Sequence, residues 1–129
     1  MRILPLVAIA FVVAGCGGAS PDYYDRIETD TAVMKEALND LGSGSAELDA
    51  SSKAIDGAAR DLDKLKPPSD VKNFHAHLVD GLHKLAATLH EAAQAGHDGD
   101  FARRDNLLDD LESSPGMREL DAAERALDD

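Results

Sequence analysis

The sequence predicts an all-α fold, an antiparallel up-down-up-down helical bundle whose last arm is broken near Pro115. Three observations predict it. Beyond residue 16, alanine and leucine dominate and β-branched residues are scarce, and both biases favour helix over strand. Apolar residues recur there at spacings of three, four and seven, the period of one helical face. Short runs of glycine, serine and proline separate these stretches. Connections of roughly three to five residues force neighbouring helices to run antiparallel. No internal repeat is convincing.

The chain begins with a segment of a different kind. Met1 and Arg2 supply a positive start, Ile3 to Val13 form an apolar run, and Val13-Ala14-Gly15-Cys16 closes it. A charged start, a short apolar stretch and small residues at the cut are the parts of a secretory signal. The run is too short to span a bilayer, which takes roughly 20 residues. Its closing tetrad resembles a bacterial lipobox, and the chain resembles a bacterial lipoprotein carrying a small uncharacterised helical domain. The resemblance implies a diacylglyceryl thioether on the Cys16 sulfur, cleavage before Cys16, and often acylation of the amine so freed. Two or more acyl chains hold firmly where one does not. Residues 1–15 are thus expected to be a leader, 16–20 the lipidated cysteine and tether, and 21–129 the helical domain. Gly17 to Ser20 reach about 14 Å at most, which keeps that domain close to the membrane.

Each helix has its own signals. Ser20-Pro21 reads as a cap and first helical position, and Asp22, Asp25 and Glu28 suit the positive end of the helix dipole. Ile27, Met34, Leu38 and Leu41 then share a face, with Thr31 in the missing turn, and predict a helix from Asp22 to Leu41. Tyr23 and Tyr24 are expected to close one end of the bundle, with a ligand contact as the alternative. Gly42-Ser43-Gly44-Ser45 breaks the chain. Leu48, Ile55 and Leu62 repeat every seven residues, with Ala58 and Leu65 on the same face, and predict a second helix from Ala46 to Lys66. Gly57 inside it costs about 1 kcal/mol.

Pro67-Pro68 stops that helix, and Ser69 is expected to cap the next. Val71, Phe74, Leu78, Leu82, Leu85, Leu89 and Ala93 give the longest and most regular pattern, from Asp70 to Ala95. This third helix is expected at the centre of the bundle. Gly96 to Gly99 ends it, and Asp100 caps a fourth segment carrying Phe101, Leu108 and Leu111. Ser114-Pro115-Gly116 is read as a break, after which Met117, Leu120, Ala123 and Leu127 mark a final helix.

Composition limits the function classes. The chain has 13 basic and 25 acidic residues. Only Arg2 of these lies in the leader, so the mature balance is about −13. Such a surface repels nucleic acid and anionic lipid and favours cationic partners. Cys16 is the single cysteine, so an internal disulfide is ruled out and lipidation would leave no thiol for catalysis. Tryptophan is absent and aromatic residues are 4% of the chain, little material for lining a small-molecule pocket. No Gly-x-Ser-x-Gly, P-loop or Gly-x-Gly-x-x-Gly occurs.

All five histidines lie in or just after the third helix: His75, His77, His83, His90 and His97. His83, His90 and His97 drift only about 20° per heptad and form a line beside the apolar stripe, with His75 near its edge and His77 on another side. Seven residues span about 10.5 Å of helix, too far for two of them to share an ion. His90-Glu91 is followed by Gln94 where a zinc-protease motif needs histidine. Asp98-Gly99-Asp100 opens like a calcium loop, but Ala102 and Arg103 replace the next ligand and the glycine. The expectation is a polar flank without a preformed metal site. His75, His83, His90 and His97 are the candidate ligands for a site completed across helices, and a pH-responsive face is the other alternative.

These features together predict a non-enzymatic envelope lipoprotein without cofactor, anchored on the extracytoplasmic side of a membrane by lipid on Cys16. Its expected partner is another envelope protein. The alternative is a cation- or small-ligand-binding lipoprotein that uses the third-helix histidines and acidic neighbours.

Overall fold

The computed structural model describes residues 21–42 and 44–128. The leader, Cys16, the tether and the Ser20 cap lie outside the described residues. The fold is all-α: the described residues form five α-helices and two short 3-10 turns, with no strand among them. The helices are α1 (Pro21–Asn39), α2 (Ser45–Asp63), α3 (Lys72–His97), α4 (Phe101–Asp109) and α5 (Pro115–Asp128). The 3-10 turns are Ser69–Val71 and Leu111–Ser113.

The apolar stripes read from the sequence are the core. Met34, Leu48, Ile55, Leu62, Leu78, Leu82, Leu85 and Leu89 are fully buried. Each such side chain contributes about 1.5–3 kcal/mol by leaving water. Helix α3 lies against α2, α4 and α5, which places the longest helix at the centre, whereas α1 rests chiefly on α2. Thr31 is buried in the α1 stripe because its own helix satisfies it: its hydroxyl donates to the Ile27 carbonyl at 2.7 Å. Ser52 is buried at the α2–α3 seam and donates across it to the Ala86 carbonyl, also at 2.7 Å.

Several local expectations need correction. Ser69 caps nothing with its side chain; the chain enters a 3-10 turn in which the Val71 amide donates to Pro68, and α3 starts at Lys72. Helix α2 ends at Asp63 and α1 at Asn39, each short of the predicted limit. Gly96 is helical, and α3 stops at His97 instead of Ala95. The reversal needs Gly99, whose φ of +79° is left-handed, and it lets the Asp100 amide reach the Ala95 carbonyl at 2.8 Å. Asp100 caps α4 as expected, accepting from the Arg103 amide. Phe101 is not core: it is 54% exposed, and α4 contributes no fully buried residue.

Pro115 and Gly116 begin α5; the interruption lies just before them. Ser114 and Pro115 repeat the cap-then-proline logic of a helix start, with the Ser114 hydroxyl accepting from the Met117 amide. Gly116 has a second task. A Cβ there would stand 2.5 Å from the Leu85 amide nitrogen and 2.9 Å from the Gly81 carbonyl oxygen. A Cβ on Gly81 would strike Leu120 at 2.9 Å. The two glycines let the start of α5 press on the backbone of α3.

Candidate functional site

The histidines fan out from α3 toward three different neighbours. His83 Nδ1 lies 3.0 Å from Asp56 Oδ1 and His90 Nδ1 lies 3.6 Å from Asp49 Oδ1, both carboxylates on α2. His77 Nδ1 lies 2.7 Å from Glu119 Oε2 on α5. His75 is 8% exposed and meets α1, with Nδ1 3.0 Å from the Tyr23 hydroxyl oxygen. His97 is exposed at the end of α3. The predicted line is therefore two paired residues facing α2 and a third, His97, beyond that seam.

Helix geometry explains the pairing. Asp49 and Asp56 are two turns apart on α2, as His83 and His90 are on α3, so two helices in contact put like rungs opposite each other. Ser52–Ala86 lies between the two rungs, and the residue numbers rise on α2 as they fall on α3. The rungs line an open groove of about 350 Å³ with Lys53 and Ala87. Each carboxylate is also neutralised from within α2: Lys53 Nζ is 3.3 Å from Asp49, and Arg60 Nε is 2.9 Å from Asp56. Lys53 above all, and then His90, hold the Asp49 carboxyl below its usual range. On the other side of α3, Lys84 bridges Asp80 at 2.9 Å and Glu119 at 3.6 Å. Asp80 first and Glu119 second raise the Lys84 ammonium above its ordinary range.

A rung supplies one imidazole and one carboxylate. Among the described residues, no group of three or more histidine, cysteine, aspartate or glutamate side chains is arranged to hold a metal ion. A tight transition-metal site takes three or four ligands at one point. What the rungs can do chemically is exchange protons and hold a cation loosely.

His75 is a different case. The Leu62 carbonyl can only accept, so the ring nitrogen facing it carries the proton, and Nδ1 accepts from the Tyr23 hydroxyl. Burial pushes the imidazole below its ordinary range, with Asp63 opposing. Burial, aided by Tyr24, pushes the Tyr23 phenol up. Tyr24 packs edge-on against Tyr23 at 5.2 Å between ring centroids, so both tyrosines sit where α1, α2 and α3 converge.

Sequence reasoning missed one polar cluster. Asp30 on α1 is 7% exposed, and its Oδ2 is buried without a hydrogen-bond partner. Its carboxyl meets that of Asp61 on α2, and Asp61 Oδ1 accepts from Arg26 Nη2 at 3.2 Å. The signal was present: Tyr23, Ile27, Asp30, Met34 and Leu38 recur at three and four, so Asp30 stands in the apolar stripe itself.

Comparison of the chain with protein-family models, with characterised proteins and with solved structures finds no match.

Proposed function

We propose that this chain is a lipid-anchored, non-enzymatic envelope protein. Lipid on Cys16 holds it to the extracytoplasmic face of a membrane, and its helical domain engages another envelope protein through its surface. The observation that carries the reading is Val13-Ala14-Gly15-Cys16 at the end of a charged and then apolar leader, with Cys16 the single cysteine of the chain. The domain's build supports it. The core is built mainly of alkyl side chains, and His77, His83 and His90 pair with carboxylates along helix seams. Arg104, itself paired with Asp105 at 3.0 Å, covers the exposed Phe101 ring at 4.9 Å from its centroid, leaving an aromatic spot on the surface. Such a spot suits contact with a protein better than capture of a small molecule.

Membrane fractionation with a clickable fatty acid tests the anchor. The wild-type protein is expected to take the label and to pellet with membranes, and Cys16→Ala to lose both. Label that persists in Cys16→Ala overturns the reading. Crosslinking in intact membranes then tests the partner, with a discrete adduct expected on the helical domain.

The His83–Asp56 and His90–Asp49 rungs favour one second reading, loose binding of a cation along the α2–α3 groove. Mixed imidazole and carboxylate donors bind weakly and exchange readily when only two converge. Calorimetry with zinc and copper decides between the two. Weak, saturable binding that is lost on changing His83 or His90 would put the cation reading first, and no binding would retire it.

A further inference from the structure

The seam between α1 and α2 carries a polar contact that neither reading above uses. Asp30 lies within the apolar stripe of α1, between Ile27 and Met34, and is closed off from solvent. One of its oxygens has no partner, and its carboxyl faces that of Asp61 across the seam. Carboxylates only accept, so a hydrogen bond between the two forms only while one of them carries a proton. With both ionised, two like charges face each other, and the Asp30 charge sits on a carboxyl closed off from solvent while Asp61 is part-exposed. The single guanidinium beside them, Arg26, is half-exposed and engages Asp61.

We propose that the Asp30–Asp61 pair is a proton-operated latch that fastens α1 to α2, closed by one shared proton and released when that proton leaves. The placement of α1 makes this consequential. It rests chiefly on α2, so it lacks the multiple supports that hold α3. It is also the first helix after the N-terminal stretch, so its release changes how the other four helices are presented.

The charges around the latch set its sense. From α1 the pair is faced by Arg26, which favours ionisation; from α2 by Asp61, which opposes it. Tyr23 on α1, Asp63 on α2 and His75 on α3 form the neighbouring contact nearer the start of α1. Burial first, and then the bond to Asp61 and its charge, push the Asp30 carboxyl up to about 7. The folded value lies above the unfolded one, so the contribution is fully present below the unfolded value and is lost as pH rises through about 7. His75 works in the opposite sense. Its folded value is lowered, so its contact weakens as acid protonates the detached ring.

Hydrogen exchange on the full chain, with and without Asp30→Asn, tests the latch. Asparagine keeps the shape of the protonated acid and cannot ionise. The opening constant of α1 is measured from pH 5 to pH 8.5, corrected for intrinsic exchange, and divided by that of the variant. The division cancels the titration of His75. The ratio is expected to rise by more than about tenfold and to level off above about pH 7. A ratio that does not change with pH overturns the proposal. Asp61→Asn removes the facing charge and supplies a permanent donor to Asp30, so the same measurement on that variant must show a weaker pH dependence than the wild type. If it is undiminished there, the latch is wrong even where Asp30→Asn fails to fold.

Discussion

Leu82 shows what a single side chain does in this bundle. It is fully buried on α3 amid Leu78, Leu85 and Leu89. Leu82→Ala is expected to cost about 2–5 kcal/mol, read from chemical denaturation; a loss below about 0.5 kcal/mol would remove it from the core. Tyr23→Phe removes one hydroxyl and leaves His75 Nδ1 buried without its donor, at an expected cost of about 1–3 kcal/mol. The loss should be largest at neutral pH, because the buried ring is neutral there. The depressed His75 value makes its contribution present above the ordinary histidine value and lost as pH falls through the folded one. Gly57 faces open solvent on α2, with nothing within 4 Å of an added Cβ. Gly57→Ala should therefore raise stability by about 0.5–1 kcal/mol, seen as a higher denaturation midpoint.

At the scale of the element, two glycines of similar appearance behave in opposite ways. Gly116 sits in the first turn of α5 against the α3 backbone, where no flexible side chain can yield. Gly116→Ala should lower stability in spite of its better helix propensity, and a melting temperature equal to or above wild type would contradict the close approach. Helix α4 is the least embedded element, with no fully buried residue, and its amides should exchange before those of α3. The stripes of α1, α2 and α3 were legible because a regular period over many residues specifies a face regardless of what covers it. Phe101 was not, because a hydrophobic residue next to a cap is core only if another helix covers it, and here only Arg104 of its own helix lies over the ring. Gly81 and Gly116 were not, because a glycine marks a break or a close approach according to what presses on it from another element. Asp30 was read past because a carboxyl in an apolar stripe becomes tolerable only through Asp61, far along the chain.

At the scale of the whole molecule, the proposed leader and Cys16 lie outside the described residues, and the bundle sets its histidine pairs along helix seams. The histidine pattern was legible as a cluster, but its partition among α1, α2 and α5 was not. A helical wheel gives directions, whereas the identity of the neighbour in each direction is a property of the packed fold. Three paired histidines and one buried histidine on a single helix make α3 the spine of the polar seams as well as of the core. The proposed function turns on lipid at Cys16, at the end of Val13-Ala14-Gly15-Cys16. Intact mass spectrometry of the protein extracted from membranes of its native host tests it most directly. The expected chain begins at Cys16, lacks residues 1–15 and carries two or three acyl chains. A chain that retains residues 1–15, or begins at Cys16 with a free thiol, would contradict it.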